Sequence, residues 1–228
     1  MKIIELKETV TASNDRDAAV LRGELKEKGT LLINLMASPG AGKTTLLERT
    51  IRDLKDKLRI AVMEADVDSD VDAVRIEKIG AKAVQAHTDG MCHMDAGMTR
   101  RALEALGDEP FDLVVLENVG NLICPAEFDT GAGKCVMLLS VPEGDDKPLK
   151  YPLMFSVADV LIITKTDVAP YFDFDVDACV ARAKRLNPNI EIFAVSSKTG
   201  EGFEAWENWL NQAVKDWKNE PGKTIKEN

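Results

Sequence analysis

Short apolar runs rich in β-branched residues alternate with longer amphipathic segments along the whole chain. Seven runs read as strands: "TLLINLMA" (30–37), "RIAVMEA" (59–65), "AKAVQAH" (81–87), "FDLVVLE" (111–117), "CVMLLSV" (135–141), "DVLIITK" (159–165) and "EIFAVSS" (191–197). Nearly continuous apolar strands this short fit a parallel sheet covered on both faces. Between them, apolar residues recur at helical spacing over about 15–28, 43–57, 70–79, 95–106, 149–157, 175–186 and 202–217. Gly29 and Gly80 stand where helix ends take a left-handed residue. This alternation predicts a three-layer α/β fold with a mostly parallel central sheet.

The 228 residues suit one large domain with a core that needs no staples. Residues 30–217 would form it, after an amino-terminal segment (1–29) whose helix packs through Ala18, Leu21 and Leu25. The polar end, "KNEPGKTIKEN" (218–228), reads as a mobile tail. A formal net charge of −10 argues against nucleic-acid or anionic-membrane partners, which need clustered Lys and Arg. The start, "MKIIELKETV", has no signal-peptide core, and no apolar run approaches the roughly 18 residues needed to cross a bilayer. A cytoplasmic protein with reduced thiols is expected; Cys92, Cys124, Cys135 and Cys179 form no C-x-x-C pair.

"ASPGAGKTT" (37–45) follows a strand and opens a helix, the context of a phosphate-binding loop. Gly40, Ala41 and Gly42 turn backbone N–H groups toward phosphate oxygens, Lys43 reaches the β- and γ-phosphates, and the Thr44 hydroxyl serves Mg²⁺, with Thr45 beside it. Ala37 replaces the first glycine of the pattern, which a strand-like backbone tolerates. Asp66 and Glu117 end the second and fourth strands, at the carboxyl edge where open α/β sheets bind ligands. Asp66 is expected to hold Mg²⁺ through water or to orient the attacking water. Asp68, Asp70 and Asp72 compete with it, but read as capping and solvated residues. Glu117 with Gly120 makes E-x-x-G, a variant of the D-x-x-G that senses γ-phosphate, and gives Glu117 a place at Mg²⁺.

The base follows from "IITKTD" (162–167) and "SSKTG" (196–200). The Asp167 carboxylate accepts from guanine N1–H and N2–H₂ but would face the lone pair of adenine N1. Such a mismatch can discriminate by ~10⁴ or more. The Lys165 stem can lie on the base, Thr164 stands where N-K-x-D has asparagine, and Ser196, Ser197 and Lys198 occupy the S-A-K position. Together the motifs favour GTP over ATP and a P-loop GTPase fold.

Cys92 and His93, in "DGMCHMDAG", lie on the loop after the third strand; Cys124, in "ENVGNLICP", lies on the loop after the fourth. Thiolate and imidazole suit Ni²⁺ and Zn²⁺. One chain supplies only three donors, and adjacent residues diverge unless the backbone bends. A site shared across a two-fold axis would resolve that shortage. Cys135, Cys179 and His87 read as packing or solvated residues.

"SPGAGKTTLLE", "EADVDSDVDAVRI", "DGMCHMDAGM", "LENVGNLICPAEFD" and "SVPEGDDKPLKYPLMF", in this order, closely resemble HypB, the nickel-insertion GTPase family of hydrogenase maturation, over about residues 14–217. The resemblance implies GTP hydrolysis, GTP-favoured homodimerisation, and a metal site at Cys92, His93 and Cys124 near the subunit interface. It also implies nickel delivery, with a HypA-type accessory protein, to the hydrogenase large subunit. "VAPYF" (168–172) matches a family dimer surface, implicating Val168 and Phe172, and Lys147 and Lys150 would contact nucleotide or the partner subunit. The chain has neither the amino-terminal C-x-x-C-G-C nor the histidine-rich stretch of many relatives. Competing readings are a urease-type metallochaperone GTPase, a zinc-regulated GTPase switch, a P-loop kinase and a metal-binding module with an inactive P-loop.

Overall fold

The computed structural model describes residues 6–66 and 71–219, with side chains from residue 11 onward except those of 66, 71 and 72. The chain runs α1 (Leu6–Glu27), β1 (Leu31–Ala37), α2 (Lys43–Leu54), β2 (Ile60–Asp66), α3 (Val71–Lys78), β3 (Lys82–His87), α4 (Ala96–Ala105), β4 (Leu113–Glu117), α5 (Cys124–Glu127) and β5 (Lys134–Ser140). It continues through α6 (Lys147–Lys150), α7 (Pro152–Val157), β6 (Val160–Thr164), α8 (Val176–Leu186), β7 (Glu191–Ala194) and α9 (Phe203–Asn219). The seven strands form one sheet in the order β3-β2-β4-β1-β5-β6-β7, every pair parallel.

Alternation along β1 decides which helices cover which face. Leu31, Ile33 and Leu35 pack with Leu46, Leu47 and Ile51 of α2, Ile76 of α3 and Trp206 and Leu210 of α9. Leu32 points the other way, toward Leu21 and Leu25 of α1 and Ala102 of α4. Met36 joins that second face beside Met154 and Phe155 of α7 and Cys179 of α8. Both faces are thereby buried, as apolar strands demand. The strand order reverses at β1, whose neighbours β4 and β5 lie on opposite sides, and the loop after β1 opens into that crevice.

Five departures from the pattern have local causes. Helix α1 begins at Leu6, well before the expected position 15, because Asn14 occupies its buried stripe and hides the apolar period. The 149–157 helix divides at Tyr151 (φ −129°, ψ 55°), since Pro152 keeps the preceding residue out of the helical region. The first two residues of the 111–117 run precede β4, which starts at Leu113. Strand β7 stops at Ala194, and Val195 to Ser197 enter a turn closed by Ser196 N–H donating to Glu201 O (3.0 Å). Helix α9 runs through Asn219, two residues into the expected tail; residues 220–228 lie outside the described part. Gly29 and Gly80 take the left-handed conformation at helix ends (φ 65° and 91°).

Lys218 of α9 pairs with Asp112, just before β4, which also accepts from the Arg59 backbone N–H (2.8 Å) and guanidinium (3.1 Å). These positive partners, Arg59 first, hold the Asp112 carboxyl well below the usual carboxylate range. Stability from a depressed carboxylate is present above its unfolded pKa and is lost as pH falls toward the folded one. Asp112→Asn is therefore expected to cost about 1–3 kcal/mol at neutral pH. The gap from the parent should narrow below about pH 4. Urea midpoints measured between neutral pH and pH 2.5 check this; a gap independent of pH would refute it.

Candidate functional site

The phosphate loop is built as its sequence requires. Ala37 is the last residue of β1, in register with Leu138 and fully buried, so its methyl lies in the core rather than in the loop. Gly40 and Gly42 adopt positive φ (77° and 98°), which side chains disfavour, and Gly42 caps α2. Lys43 and Thr44 then open α2, both buried, with Thr45 exposed beside them. They line a cavity of about 600 Å³ whose walls include Gly40, Gly42, Glu117, Gly120 and Lys165.

Two loops close on this cavity. Thr44 Oγ1 donates to Glu117 Oε1 (3.1 Å), joining the start of α2 to the end of β4. Gly120 lies so close to the phosphate loop that a Cβ there would be 2.9 Å from Pro39 Cγ. Asp66 ends β2 in register with His87; its side chain is outside the described part, as are residues 67–70 with Asp68 and Asp70, and the side chain of Asp72.

Among the pocket residues the sequence reading missed, Glu64, Arg75, Gln85 and Asn118 carry polar side chains. Glu64 is in register with Gln85 on one side and Glu117 on the other, so three polar groups form one row across β3, β2 and β4. A charged residue two positions from the end of an otherwise apolar buried strand was the signal available. Buried oxygen donors from Thr44, Glu64 and Glu117 match the hard, oxygen-rich set that Mg²⁺ takes.

At the base end, Thr164 and Lys165 bend back onto the phosphate loop. Thr164 Oγ1, buried, donates to Ala41 O (2.7 Å), and Lys165 Nζ donates to Gly40 O (2.7 Å) from a left-handed backbone (φ 61°). Asp167 Oδ1 accepts from Ser196 Oγ (2.7 Å), which in turn accepts from Thr199 N–H (3.1 Å). The buried Ser196 therefore acts on the carboxylate, beside half-buried Ser197 and exposed Lys198.

Cys92, His93 and Cys124 converge, with one donor atom from each within 4.8 Å of the others. The bend that adjacent donors need is present at Cys92 and His93 themselves, just after a turn in which Asp89 and Gly90 take positive φ (49° and 84°) and Met91 N–H closes onto Thr88 O (3.0 Å). Cys92 Sγ and Cys124 Sγ face each other 2.7 Å apart, and His93 Nδ1 lies 3.8 Å from Cys92 Sγ. The nearby Cys124 thiol raises the Cys92 pKa. Burial lowers the His93 pKa, which favours the neutral, ligating imidazole. Its ring stacks on Phe128 (centroids 3.9 Å apart), a positioning contact that sequence spacing did not reveal. Elsewhere, burial pushes Cys135 up to about 12 and Cys179 up to about 11, as inert thiols.

The metal cluster and the pocket share a buried amide. Asn118, next to Glu117, accepts from Met94 N–H (3.2 Å) and donates to Asn34 Oδ1 (3.0 Å). Asn121 donates to Cys92 O (3.4 Å) and accepts from Ile123 N–H (2.8 Å), tying the two donor loops. Val168 packs partly into the core, whereas Phe172 is exposed next to Tyr171. Lys150 pairs with Asp146 (2.6 Å) and Lys147 with Glu143 (3.8 Å), all within this chain.

Comparison with known proteins agrees with this geometry. The CobW/HypB/UreG nucleotide-binding domain matches residues 31–194. Hydrogenase maturation factor HypB of Rhizobium leguminosarum bv. viciae is 47% identical over 209 residues, covering 92% of this chain and 70% of that one. The crystal structure of HypB from Helicobacter pylori in complex with nickel superposes with a TM-score of 0.85 at 40% identity, covering 90% of this chain and 96% of that one. HypB from Archaeoglobus fulgidus gives 0.83 at 41% identity, covering 89% and 99%.

Thr164→Val removes one buried hydrogen bond to the phosphate loop without changing the side chain's shape. At about 1 kcal/mol, GDP binding should weaken roughly fivefold. The preference for GDP over ADP should persist, because the Asp167 carboxylate is untouched. Titration with fluorescent GDP and ADP analogues decides it; a collapse of base preference would show that Thr164 reads the base.

Proposed function

The chain belongs to the CobW/HypB/UreG nucleotide-binding family and within it to the HypB hydrogenase maturation factors, and we propose that it is a GTP-hydrolysing nickel metallochaperone. Nickel is its cargo, destined for the hydrogenase large subunit with a HypA-type accessory protein. The observation that carries the reading is the Cys92–His93–Cys124 cluster, whose Cys124 lies on the loop that also lines the nucleotide pocket through Glu117 to Gly120.

In this reading the loop amides of Gly40 to Thr44 cradle the phosphates, and Lys43 neutralises the β- and γ-oxygens. Thr44 and Glu117, with Asp66 through water, would hold Mg²⁺, which when bound would supply positive charge to the phosphate oxygens. Water adds to the γ-phosphorus, the bond to the β-oxygen breaks, and GDP and phosphate leave. Asp167, held by Ser196, selects guanine. Two thiolates and a neutral imidazole suit a borderline-soft ion such as Ni²⁺ or Zn²⁺.

Coupling follows from the shared loop. Gly120 to Cys124 spans at most about 14 Å fully extended. A shift of Glu117 or Gly120 on γ-phosphate binding therefore moves Cys124, and through Asn118 it also reaches Met94, beside His93. GTP-favoured pairing of two copies, at a surface that includes Val168 and Phe172, would complete the metal's coordination. Linkage then requires bound metal to alter GTP affinity.

Lys43→Ala should lower GTP turnover by at least about a hundredfold, with free phosphate as product in the parent. Cys92→Ala and Cys124→Ala should lose nickel while keeping turnover within a few-fold. Phosphate release and metal content of the purified proteins measure both. Nickel retained by both cysteine variants, or turnover independent of Lys43, would defeat the reading.

A further inference from the structure

Helix α1 crosses both donor-bearing loops, although it lies before the matched nucleotide-binding domain. One buried amide of α1 reaches both loops at once. Asn14 Oδ1 accepts from Ala96 N–H (3.0 Å), three residues after His93. Asn14 Nδ2 donates to Asp129 O (2.9 Å), five residues after Cys124 and next to Phe128, the ring on which His93 stacks. Farther along α1, Arg22 Nε donates to Ala132 O (2.7 Å) and its guanidinium pairs with Asp129, fixing the far end of the same loop.

We propose that Asn14 is a positioning residue of the metal site: its amide joins the loop of Cys92 and His93 to the loop of Cys124, so that α1 sets the geometry of the donors. The proposal rests on the metal reading above. Asn14 touches no donor atom itself. Removing it frees the Asp129 carbonyl, lets Phe128 shift, and loosens the ring that aims His93. Partners that hydrogen-bond a ligand directly typically change metal affinity by 10–100-fold when lost, and Asn14, acting at one further remove, belongs at the low end.

Cobalt(II) alone is the probe, added to the full chain, because its thiolate charge-transfer and ligand-field bands report donor number and geometry. The parent should show both bands. Asn14→Ala should weaken cobalt affinity about tenfold and shift or reduce the ligand-field bands, with GDP-analogue affinity unchanged within about twofold. Asn14→Asp keeps the acceptor for Ala96 N–H but sets a carboxylate against the Asp129 carbonyl. It preserves the side chain's shape, so it serves if the alanine variant does not fold, and the same loss is expected. Leu25→Ala loosens α1 through its apolar contact alone and should leave the bands in place.

Unchanged bands and affinity in Asn14→Asp would overturn the proposal while leaving the metal reading intact. Equal losses in Leu25→Ala would also overturn it, by reducing Asn14 to general stability. Absence of the bands from the parent would defeat the metal reading itself, and this inference with it.

Discussion

The amide of Asn118 is the point on which both sites depend. It is buried beyond β4, where an unpaired amide would cost about 1–3 kcal/mol, and its hydrogen bonds fix three segments at once: β1 at Asn34, its own loop at Val119, and the donor loop at Met94. The sheet order makes this possible. Because β4 lies between β2 and β1, its exit loop has the phosphate loop on one side and the exit of β3, beyond β2, on the other. No other described strand exit reaches both. A loop so placed cannot respond to phosphate without disturbing thiol geometry unless it breaks internally.

Charge balance gives that loop a reason to respond. Glu64 and Glu117 are buried on adjacent strands about 4.8 Å apart. Two carboxylates in such a place repel and are costly to desolvate, so positive charge near them is strongly favoured. Lys43 supplies some, and Arg75 lines the same cavity. Glu117 also accepts from Thr44 Oγ1, so the end of β4 and the start of α2 are held together at this charged place.

The sheet was legible because parallel strands buried on both faces leave an unmistakable apolar run, and the phosphate loop because glycine at positive φ has few substitutes. What escaped was polar and buried. Asn14 masked the first half of α1, since a hydrogen-bonded asparagine on a core stripe looks like a solvent-facing residue to any hydropathy argument. Glu64 and Gln85 were hidden inside a strand pattern, where only register across neighbouring strands reveals that they line a pocket. Phe128 escaped for another reason: stacking on His93 depends on how α5 turns after Cys124, which four residues of sequence do not specify. The convergence of Cys92 with His93 needed the chain to bend at those two residues, and no glycine or proline at 92 or 93 marks that bend.

The base end divides its work differently from what its motif suggests. Thr164 and Lys165 direct their polar atoms to carbonyls of the phosphate loop rather than outward, so they brace the cradle from the side where the base would enter. The Asp167 carboxylate is instead held by a serine from the turn after β7, a segment more than two dozen residues away. Bracing Ala41 needs one donor at the right height, which the Thr164 hydroxyl supplies. The brace on the phosphate loop and the hold on Asp167 thus reside on different side chains of one short turn, and a change in one need not carry the other with it.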